Sequence, residues 1–250
     1  HRAEVMSYKA VYGQLMLPDM RFVKTVICWG SNPFVNAYPR GKGIYALKER
    51  GGKVVCIDPR MTQTAQKVSD LYLRPRIGTD DILANAVANC IIQRNAVDMD
   101  FIQKYVHGYD AYKEMVSKYT LEMAEEICGI PKEKIEQFID IFLENEATVI
   151  MPGNGLTHRV NGFNLHRAVI SLMAIVGRID KPGTFVPAHE TFCHSDGGFD
   201  SREEAFYNET RPMDCKPAIG QQRFPIWHEF VDEAQGMDFV RQVNEKTPYE

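Results

Sequence analysis

Residues 23–33 are Val-Lys-Thr-Val-Ile-Cys-Trp-Gly-Ser-Asn-Pro, and residues 53–60 are Lys-Val-Val-Cys-Ile-Asp-Pro-Arg. Each stretch starts with a short run rich in β-branched residues and ends in residues suited to an exposed turn. Parallel sheets are built from such buried runs, and they bind ligands at the edge where their strands end. The two stretches therefore predict neighbouring parallel strands that present backbone and polar groups to a ligand, and we expect that ligand to be a nucleotide.

A helical pattern lies between the two predicted strands. It runs through Ile44 to Glu49 and stops at Gly51-Gly52, which is typical of a helix C-terminus, so the whole is a βαβ unit. The first strand ends in Gly30-Ser31-Asn32-Pro33, which offers backbone N–H groups, a hydroxyl and an amide to phosphate oxygens, although the same turn also fits a purely structural role. Asp58 ends the second strand, where dinucleotide-binding folds place a carboxylate that binds ribose hydroxyls.

The glycine fingerprint of dinucleotide-binding enzymes is missing after Ile27. An ordinary nicotinamide or flavin site is therefore disfavoured, because no glycine-rich turn brings the first helix tightly against a pyrophosphate. A nicotinamide- or flavin-dependent dehydrogenase domain, with Asp58 on the adenosine ribose, remains one alternative. A non-catalytic nucleotide-binding or structural domain that docks on partner subunits is the other.

The composition is that of an ordinary globular chain. With 250 residues, 44% of them hydrophobic and 25% charged, the chain can bury about 70–75% of its unfolded surface. Its net charge of −4 gives no general attraction to nucleic acid or to an anionic membrane. The apolar stretches are too short and too interrupted to span a bilayer. We therefore expect neither a nucleic acid partner nor direct membrane insertion.

The six cysteines contain no C-x-x-C motif. Cys28 and Cys56 lie in the predicted strands, and Cys90 lies in a predicted helix. Small buried hydrophobic residues are therefore a better interpretation than metal or cluster ligands. We assign no metal ligand, and the chain itself supports neither an iron–sulfur nor a structural zinc site.

The remaining pattern predicts, in chain order, a short helix over 61–70, a strand over 71–73, a helix capped by Thr79 or Asp80, helices over 98–146, a strand over 147–151 and a buried helix over 162–176. The expected fold class is α/β, a three-layer Rossmann-like domain with a mainly parallel sheet, a helical insertion and an irregular C-terminal segment. The α/β domain covers 23–183, with 98–146 as a helical layer within it. Residues 1–22 form an N-terminal segment of weak pattern, with a loop at Leu17-Pro18-Asp19. Residues 184–250 are expected to be loop-rich and to pack on domains outside this sequence.

Four groups of residues match one family in order and spacing. They are Trp29-Gly-Ser-Asn-Pro33, Ile57-Asp-Pro-Arg60, Asp70 with Arg76-Ile-Gly-Thr-Asp80, and the glycine series from Gly153 to Gly183. Together they resemble the molybdopterin oxidoreductases of the dimethyl sulfoxide reductase and formate dehydrogenase group, over roughly residues 20–185. The resemblance implies that 23–183 binds one guanine dinucleotide arm of a bis-molybdopterin cofactor that carries molybdenum or tungsten. It also implies that the chain is an internal fragment of a catalytic subunit and is inactive alone.

The resemblance assigns roles to the nucleotide-binding residues. Asp58 and Arg60 are placed beside the ribose, base or phosphate, and Asp80 is placed on the guanine. Guanine presents N1–H and an amino group side by side, a pair of donors that one carboxylate can accept. A plain helix cap is the other interpretation of Asp80. The remaining cofactor contacts that the resemblance implies are Gly30, Ser31, Asn32, Arg76 and Gly78, with Arg76 neutralising phosphate charge.

The loop from Gly153 to Asn161 is implied to approach the pterin and the metal. Gly155, Thr157 and His158 are its expected cofactor contacts. His158 and Arg159 are also the candidate catalytic residues, and His166 and Arg167 follow as further groups that can reach the cofactor or the substrate.

The expected partners are the missing domains of the same chain and an iron–sulfur electron-transfer subunit. Family members carry a metal-ligating residue, in many cases an iron–sulfur cluster, and a later barrel-like domain. We expect these in parts of the protein beyond the 250 residues, and the sequence assigns neither the substrate nor the metal.

Overall fold

The computed structural model describes residues 2–187. In chain order its elements are α1 (Arg2–Tyr12), β1 (Met16–Pro18), β2 (Thr25–Trp29), α2 (Pro33–Asn36), α3 (Tyr38–Glu49), β3 (Lys53–Ile57), α4 (Gln63–Val68), β4 (Leu71–Leu73), α5 (Asp80–Gln93), α6 (Met99–Tyr105), α7 (Tyr109–Val116), α8 (Leu121–Cys128), α9 (Lys132–Glu144), β5 (Thr148–Pro152), α10 (Asn154–Thr157), α11 (Gly162–Ile175) and β6 (Phe185–Pro187).

The predicted parallel sheet is confirmed. Its four strands lie in the order β4-β3-β2-β5, and every neighbouring pair is parallel. All five residues of β2 and all five of β5 are buried, as expected for strands covered by helices on both faces. Trp29 pairs with Ile57 on one side and with Pro152 on the other, so the carboxyl ends of these three strands meet at one edge.

The strand order reverses between β2 and β5. The chain passes from β2 to β3 to β4 in one direction and then returns to place β5 on the other side of β2. Because such crossovers are right-handed, α3 and α4 cover one face of the sheet and the long return through α5 covers the other. Open α/β sheets bind ligands where the order reverses, outside the carboxyl ends of the strands. That position lies between Gly30 and Gly153.

The region predicted as a helical layer, 98–146, contains the four helices α6 to α9. Its turns contain Gly108 and Gly129, both with positive φ. In α9, Ile135, Phe138, Ile139 and Phe142 are fully buried, and the rings of Phe138 and Trp29 meet in an edge contact with the centroids 6.0 Å apart. The layer therefore supports the carboxyl end of β2, at the edge of the sheet where a ligand is expected.

The N-terminal segment differs from the expected weak pattern and loop. Helix α1 packs against α11, with the Ser7 hydroxyl donating to the Phe163 carbonyl at 3.0 Å. Strand β1 replaces the predicted loop at 17–19 and pairs antiparallel with β6. The ring of Phe185 in β6 contacts both Tyr8 and Tyr12. Residues 184–187 therefore belong to this domain, while the rest of the predicted loop-rich segment lies outside the described residues.

The glycine series at 177–183 has structural roles. The guanidinium of Arg178 is buried and donates to the carbonyls of Phe142 and Leu143, which end α9. Burial lowers the pKa of Arg178 to about 10. The backbone N–H of Gly183 donates to Asp19 Oδ2 at 3.2 Å. This segment therefore joins the end of α11 to α9 and to the N-terminal segment.

The described cysteines agree with the prediction of small buried hydrophobic residues. Cys28, Cys56, Cys90 and Cys128 are all free and buried. Within residues 2–187, no helix combines the length and the apolar character that crossing a membrane requires.

Candidate functional site

Two turns join the ends of β2 and β5 through backbone hydrogen bonds. Gly153 N–H donates to the Trp29 carbonyl at 2.8 Å, and Gly155 N–H donates to the Gly30 carbonyl at 3.1 Å. Gly30 adopts φ +60 and donates its own N–H to the Ile57 carbonyl at 2.8 Å. The edge at the strand-order reversal is thus built from backbone packed on backbone.

Glycine is required in the second turn because of this close approach. A Cβ at Gly153 would lie 2.3 Å from the Gly30 carbonyl oxygen and 2.7 Å from Ser31 Cα. A Cβ at Gly155 would lie 2.9 Å from the same oxygen. Side chains at these positions would push the two turns apart.

The first turn keeps fewer free N–H groups than the sequence suggested, because that of Gly30 is already used in the sheet. Among the described residues, the N–H groups of Ser31 and Asn32 have no backbone partner, and the Ser31 hydroxyl has no partner either. The Asn32 Oδ1 accepts from Thr64 Oγ1 at 2.8 Å, which turns that side-chain carbonyl towards α4. Two successive free N–H groups remain, an arrangement that binds anions.

Asp80 is held at this edge by Trp29. The indole N–H of Trp29 donates to Asp80 Oδ1 at 2.8 Å, and it is the one side-chain donor to this carboxylate among the described residues. Burial raises the pKa of Asp80, and the hydrogen bond from Trp29 opposes that rise. Thr79 holds the N-cap position of α5, but its hydroxyl donates to the Arg76 carbonyl. Asp80 is therefore the first helical residue, bound to the sheet by its side chain.

Asp58 and Arg60 lie together after β3, as the sequence predicted. The Arg60 N–H donates to Asp58 Oδ1 at 2.8 Å, while the Arg60 side chain is exposed. Burial raises the pKa of Asp58, against the opposing effect of Arg60. A partly buried carboxylate and an exposed guanidinium are thus available at the same strand end.

Arg76 makes contacts within the fold, and its expected role in neutralising phosphate stays a prediction. Its guanidinium donates to the carbonyls of Glu126 and Ile127, at 2.6 and 3.2 Å. These carbonyls belong to the last turn of α8, which leaves its final acceptors without helical partners. Gly78 adopts φ +88 in the exposed turn before α5, a backbone conformation that favours glycine.

His166 is buried, and this corrects the expectation that it reaches a ligand. Its Nε2 lies 2.9 Å from Thr157 Oγ1, and its Nδ1 has no partner among the described residues. Burial lowers the pKa of His166 to about 4, so the ring is neutral at pH 7. The Thr157 hydroxyl is consequently engaged with α11.

His158 and Arg159 are both exposed, as a ligand-facing loop requires. The positive charge of Arg159 acts on Asp80 and favours its ionised form. Arg167 is exposed as well, and its guanidinium carbon lies 5.9 Å from the centroid of the Phe163 ring. The loop thus exposes His158 and Arg159, of which Arg159 acts on Asp80, while Thr157 contacts His166 within the fold.

Trp29 is the residue whose function the sequence did not reveal. A tryptophan at the end of a buried strand needs a partner for its indole N–H, and this need was the available signal. At the start of α11, Asn161 Nδ2 donates to Asp81 Oδ2 at 3.3 Å, which ties this helix to the first turn of α5. No cluster of three or more His, Cys, Asp or Glu side chains that could hold a metal ion occurs within residues 2–187.

Comparison with known proteins decides the family. The family model described as molybdopterin oxidoreductase matches residues 14–244. The chain belongs to the molybdopterin oxidoreductase family. The resemblance noted from the motifs is thereby confirmed, and its reach extends beyond residue 185 at the C-terminal side.

Curated relatives include two archaeal formate dehydrogenase subunits. The chain is 35% identical over 190 residues to the F420-dependent formate dehydrogenase subunit alpha of Methanocaldococcus jannaschii, covering 74% of this chain and 28% of the relative. It is 31% identical over 241 residues to the F420-dependent formate dehydrogenase 1 subunit alpha of Methanococcus maripaludis, covering 95% of this chain and 35% of the relative. The chain therefore spans about a third of the length of these relatives.

Among solved structures, acetylene hydratase from Pelobacter acetylenicus has a similar fold. The TM-score is 0.69 at 21% identity, over 83% of this chain and 31% of that protein. The similarity confirms the α/β fold with its parallel sheet and flanking helices.

Proposed function

We propose that this chain is a domain of the catalytic subunit of a molybdenum or tungsten oxidoreductase, and that it binds one guanine dinucleotide arm of a bis-molybdopterin cofactor. The observation that carries the proposal is Asp80, a carboxylate fixed by Trp29 at the strand-order reversal of the sheet. Family membership supports the pterin cofactor. The guanine dinucleotide form and the assignment of one arm are the steps that we add.

The described residues fit such a ligand. The free N–H groups of Ser31 and Asn32 suit pyrophosphate oxygens, which need donors. Gly153 and Gly155 leave no side chain between the two turns. Asp58 and Arg60 offer an acceptor and a positive charge to the ribose and the phosphate. Arg76 remains a proposed phosphate contact, since only its Nη1 donates to the carbonyls of α8 and the side chain is exposed.

The guanine assignment follows from the chemistry of Asp80. Its carboxylate is acceptor-only when ionised, and guanine presents two neighbouring donors, N1–H and the exocyclic amino group. Adenine instead presents an acceptor at N1, which a carboxylate repels. Burial raises the pKa of Asp80, whereas a pair of donors favours the ionised form, so the base and the carboxylate stabilise each other.

When bound, the cofactor supplies the transfer of electron pairs between substrate and metal. The residues of this chain hold and orient it. We propose that His158 and Arg159, both exposed beside the site, contact the cofactor or the substrate. Further partners in this proposal are the other domains of the subunit and an iron–sulfur electron-transfer subunit, with an iron–sulfur cluster outside this chain. The relatives named as subunit alpha support partner subunits in general.

Formate is the substrate we propose for the catalytic subunit. The support is the alignment of this chain, over up to 95% of its length, with relatives that are named formate dehydrogenases. Formate-dependent reduction of a viologen dye by the purified subunit tests this step, and activity with trimethylamine N-oxide but not with formate would contradict it. The nucleotide assignment does not depend on that outcome.

The base preference is tested on the 250-residue chain itself. We expect GMP and GDP to bind more tightly than AMP in isothermal titration calorimetry, because Asp80 accepts from guanine and repels adenine N1. Equal or tighter binding of AMP would remove the guanine assignment and would favour the dehydrogenase alternative, in which Asp58 binds an adenosine ribose.

The role of Asp80 is tested by Asp80→Asn. The Trp29 hydrogen bond survives, since an amide oxygen can replace Oδ1, but the other oxygen becomes a donor that faces donors. We expect the affinity for GMP to fall by about 1–3 kcal/mol, roughly 5- to 150-fold, with the free energy of unfolding unchanged or slightly raised.

Asp81→Asn is the matched control, because it removes the same charge from the same helical turn. Asp81 accepts from its neighbour Ile82 and from Asn161, so this change should leave GMP affinity nearly intact. In the complete subunit, the metal and pterin content of the Asp80→Asn variant should fall below that of the wild type, and the content of the Asp81→Asn variant should not. Equal GMP affinity of the Asp80→Asn variant and the wild type would show that Asp80 serves the helix alone.

A further inference from the structure

The contact between His166 and Thr157 can be made in two ways, depending on which atom donates. His166 Nε2 lies 2.9 Å from Thr157 Oγ1, and His166 Nδ1 has no hydrogen-bond partner among the described residues. The ring is fully buried, and burial lowers its pKa to about 4. At pH 7 one ring nitrogen therefore carries a hydrogen and the other does not. The position of that hydrogen decides what the Thr157 hydroxyl can do.

The nitrogen without a partner favours one tautomer of His166. If Nδ1 carried the hydrogen, a buried N–H group would have no acceptor. If Nε2 carries it, this N–H donates to Thr157 Oγ1, and only a lone pair on Nδ1 is left unpaired. Buried N–H groups without an acceptor are rarer in proteins than buried acceptors without a donor, because an unmade donor costs more free energy. The hydrogen therefore belongs on Nε2, with Thr157 Oγ1 as its acceptor.

In this arrangement the Thr157 hydroxyl keeps its own hydrogen for another partner. Among the residues that the structure describes, Oγ1 makes no hydrogen bond besides the one with His166. Thr157 is half-buried and the next residue, His158, is exposed, so the hydroxyl lies near the surface of the fold. A hydroxyl that accepts one hydrogen bond is polarised and donates the next one more strongly. Thr157 is thus a donor whose acceptor lies outside the described chain.

The backbone holds Thr157 close to the candidate site. Its carbonyl accepts from the Arg159 N–H at 2.8 Å, and a Cβ at Gly162 would lie 2.5 Å from the same oxygen. Thr157 ends α10, and Gly155 in the same helix donates its N–H to the Gly30 carbonyl. Two residues of helix span about 3 Å along the axis. The hydroxyl is therefore fixed a short distance from the contact between the two turns.

We propose that His166 is a positioning residue, which holds the Thr157 hydroxyl so that it donates a hydrogen bond to an acceptor atom of the bound cofactor arm. His166 does not touch the cofactor and acts through Thr157 alone. Because the cofactor supplies the acceptor, the inference rests on the proposed function. It gives a buried residue of α11 a role in binding, although its ring is closed off from any ligand.

The tautomer is tested on the 250-residue chain without any ligand. Nitrogen-15 NMR at pH 7 separates protonated from unprotonated imidazole nitrogens, and the His166→Gln variant identifies the His166 signals by their loss. We expect a protonated Nε2 and an unprotonated Nδ1. A proton on Nδ1, or on both nitrogens, would overturn the proposal whatever the chain binds.

The hydroxyl is tested in the complete catalytic subunit by the rate at which pterin is released during dialysis. Thr157→Val removes the hydroxyl at nearly constant shape, and Thr157→Ser keeps it. We expect release to be roughly 2- to 13-fold faster from the valine variant, the effect of one hydrogen bond, and close to the wild-type rate from the serine variant. His166→Leu should behave like Thr157→Val, whereas His166→Gln, whose amide can donate to Oγ1, should restore slow release.

A double variant with Thr157→Val and His166→Leu separates binding from folding. Replacing both partners by apolar groups is nearly neutral for stability, because no buried donor is left unpaired. We expect the free energy of unfolding to recover towards the wild-type value while pterin release stays fast.

Release from Thr157→Val or from the double variant at the wild-type rate would overturn the proposal, since the hydroxyl would then serve the fold alone. A wild-type subunit that contains no pterin would overturn the proposed function and, with it, the assigned acceptor. The tautomer measured by NMR distinguishes that failure from a wrong assignment of His166.

Discussion

Replacing Gly153 by alanine is expected to destabilise the chain by about 1–3 kcal/mol or more and to abolish GMP binding. The added Cβ would stand 2.3 Å from the Gly30 carbonyl oxygen and 2.7 Å from Ser31 Cα. Both are backbone atoms in a hydrogen-bonded turn, so neither can rotate aside as a flexible side chain would. Guanidinium chloride unfolding and calorimetry with GMP measure the two effects.

Gly43→Ala is the control for this substitution. A Cβ at Gly43 would meet Met20 Cε at 3.5 Å, an ordinary contact. Because the position lies inside α3, alanine should stabilise the chain by up to about 1 kcal/mol and leave GMP affinity unchanged. If Gly153→Ala proved no more harmful than Gly43→Ala, the close backbone approach described at the site would be wrong.

The second large effect is a loss of stability at acidic pH. His166 is expected to make the free energy of unfolding fall by about 3 kcal/mol between pH 7 and pH 4. Its pKa is lowered from 6.5 to about 4 by burial, so between these values the unfolded chain binds a proton that the folded chain does not. This contribution to stability is present above pH 6.5 and is lost as pH falls towards 4.

His166→Gln isolates that contribution. Glutamine can keep a polar group near Thr157 Oγ1 but does not titrate. We expect denaturant unfolding at pH 4, 5, 6 and 7 to show a shallower loss of stability in the variant, with the difference from wild type concentrated between pH 4 and 6.5. Parallel curves for the two proteins would mean that His166 is not the buried neutral group the structure describes.

Most of the sheet could be predicted because its strands are continuous apolar runs. The four strands β2, β3, β4 and β5 were all predicted from the sequence, and in the structure each is parallel to its neighbours. Helix α1 was missed for a physical reason. It packs through buried Ser7 and Tyr8 and half-buried Tyr12, whose polar atoms obscure an apolar stripe until the partners in α11 and β6 are known.

The positions of the candidate residues in the fold were easier to predict than the directions of their side chains. The sequence placed Asp58, Arg60 and Asp80 at the carboxyl edge because strand ends and helix starts are visible in a pattern. It could not show that Arg76 turns to α8 or that His166 turns inward, since both choices depend on neighbours far along the chain.

The long separation of β2 and β5 in the sequence also determines when the candidate site can form during folding. Thr25 pairs with Thr148, so the two turns that hold the proposed nucleotide come together only after the whole intervening helical layer has been made. Closing so long a loop is slow, because chain entropy is lost before the contacts between β2 and β5 can stabilise the closed loop. A nucleotide that needs both turns binds only the folded state of the chain, and such binding raises the free energy of unfolding. During synthesis, the proposed nucleotide could therefore bind only after β5 and the turn at Gly153 have left the ribosome.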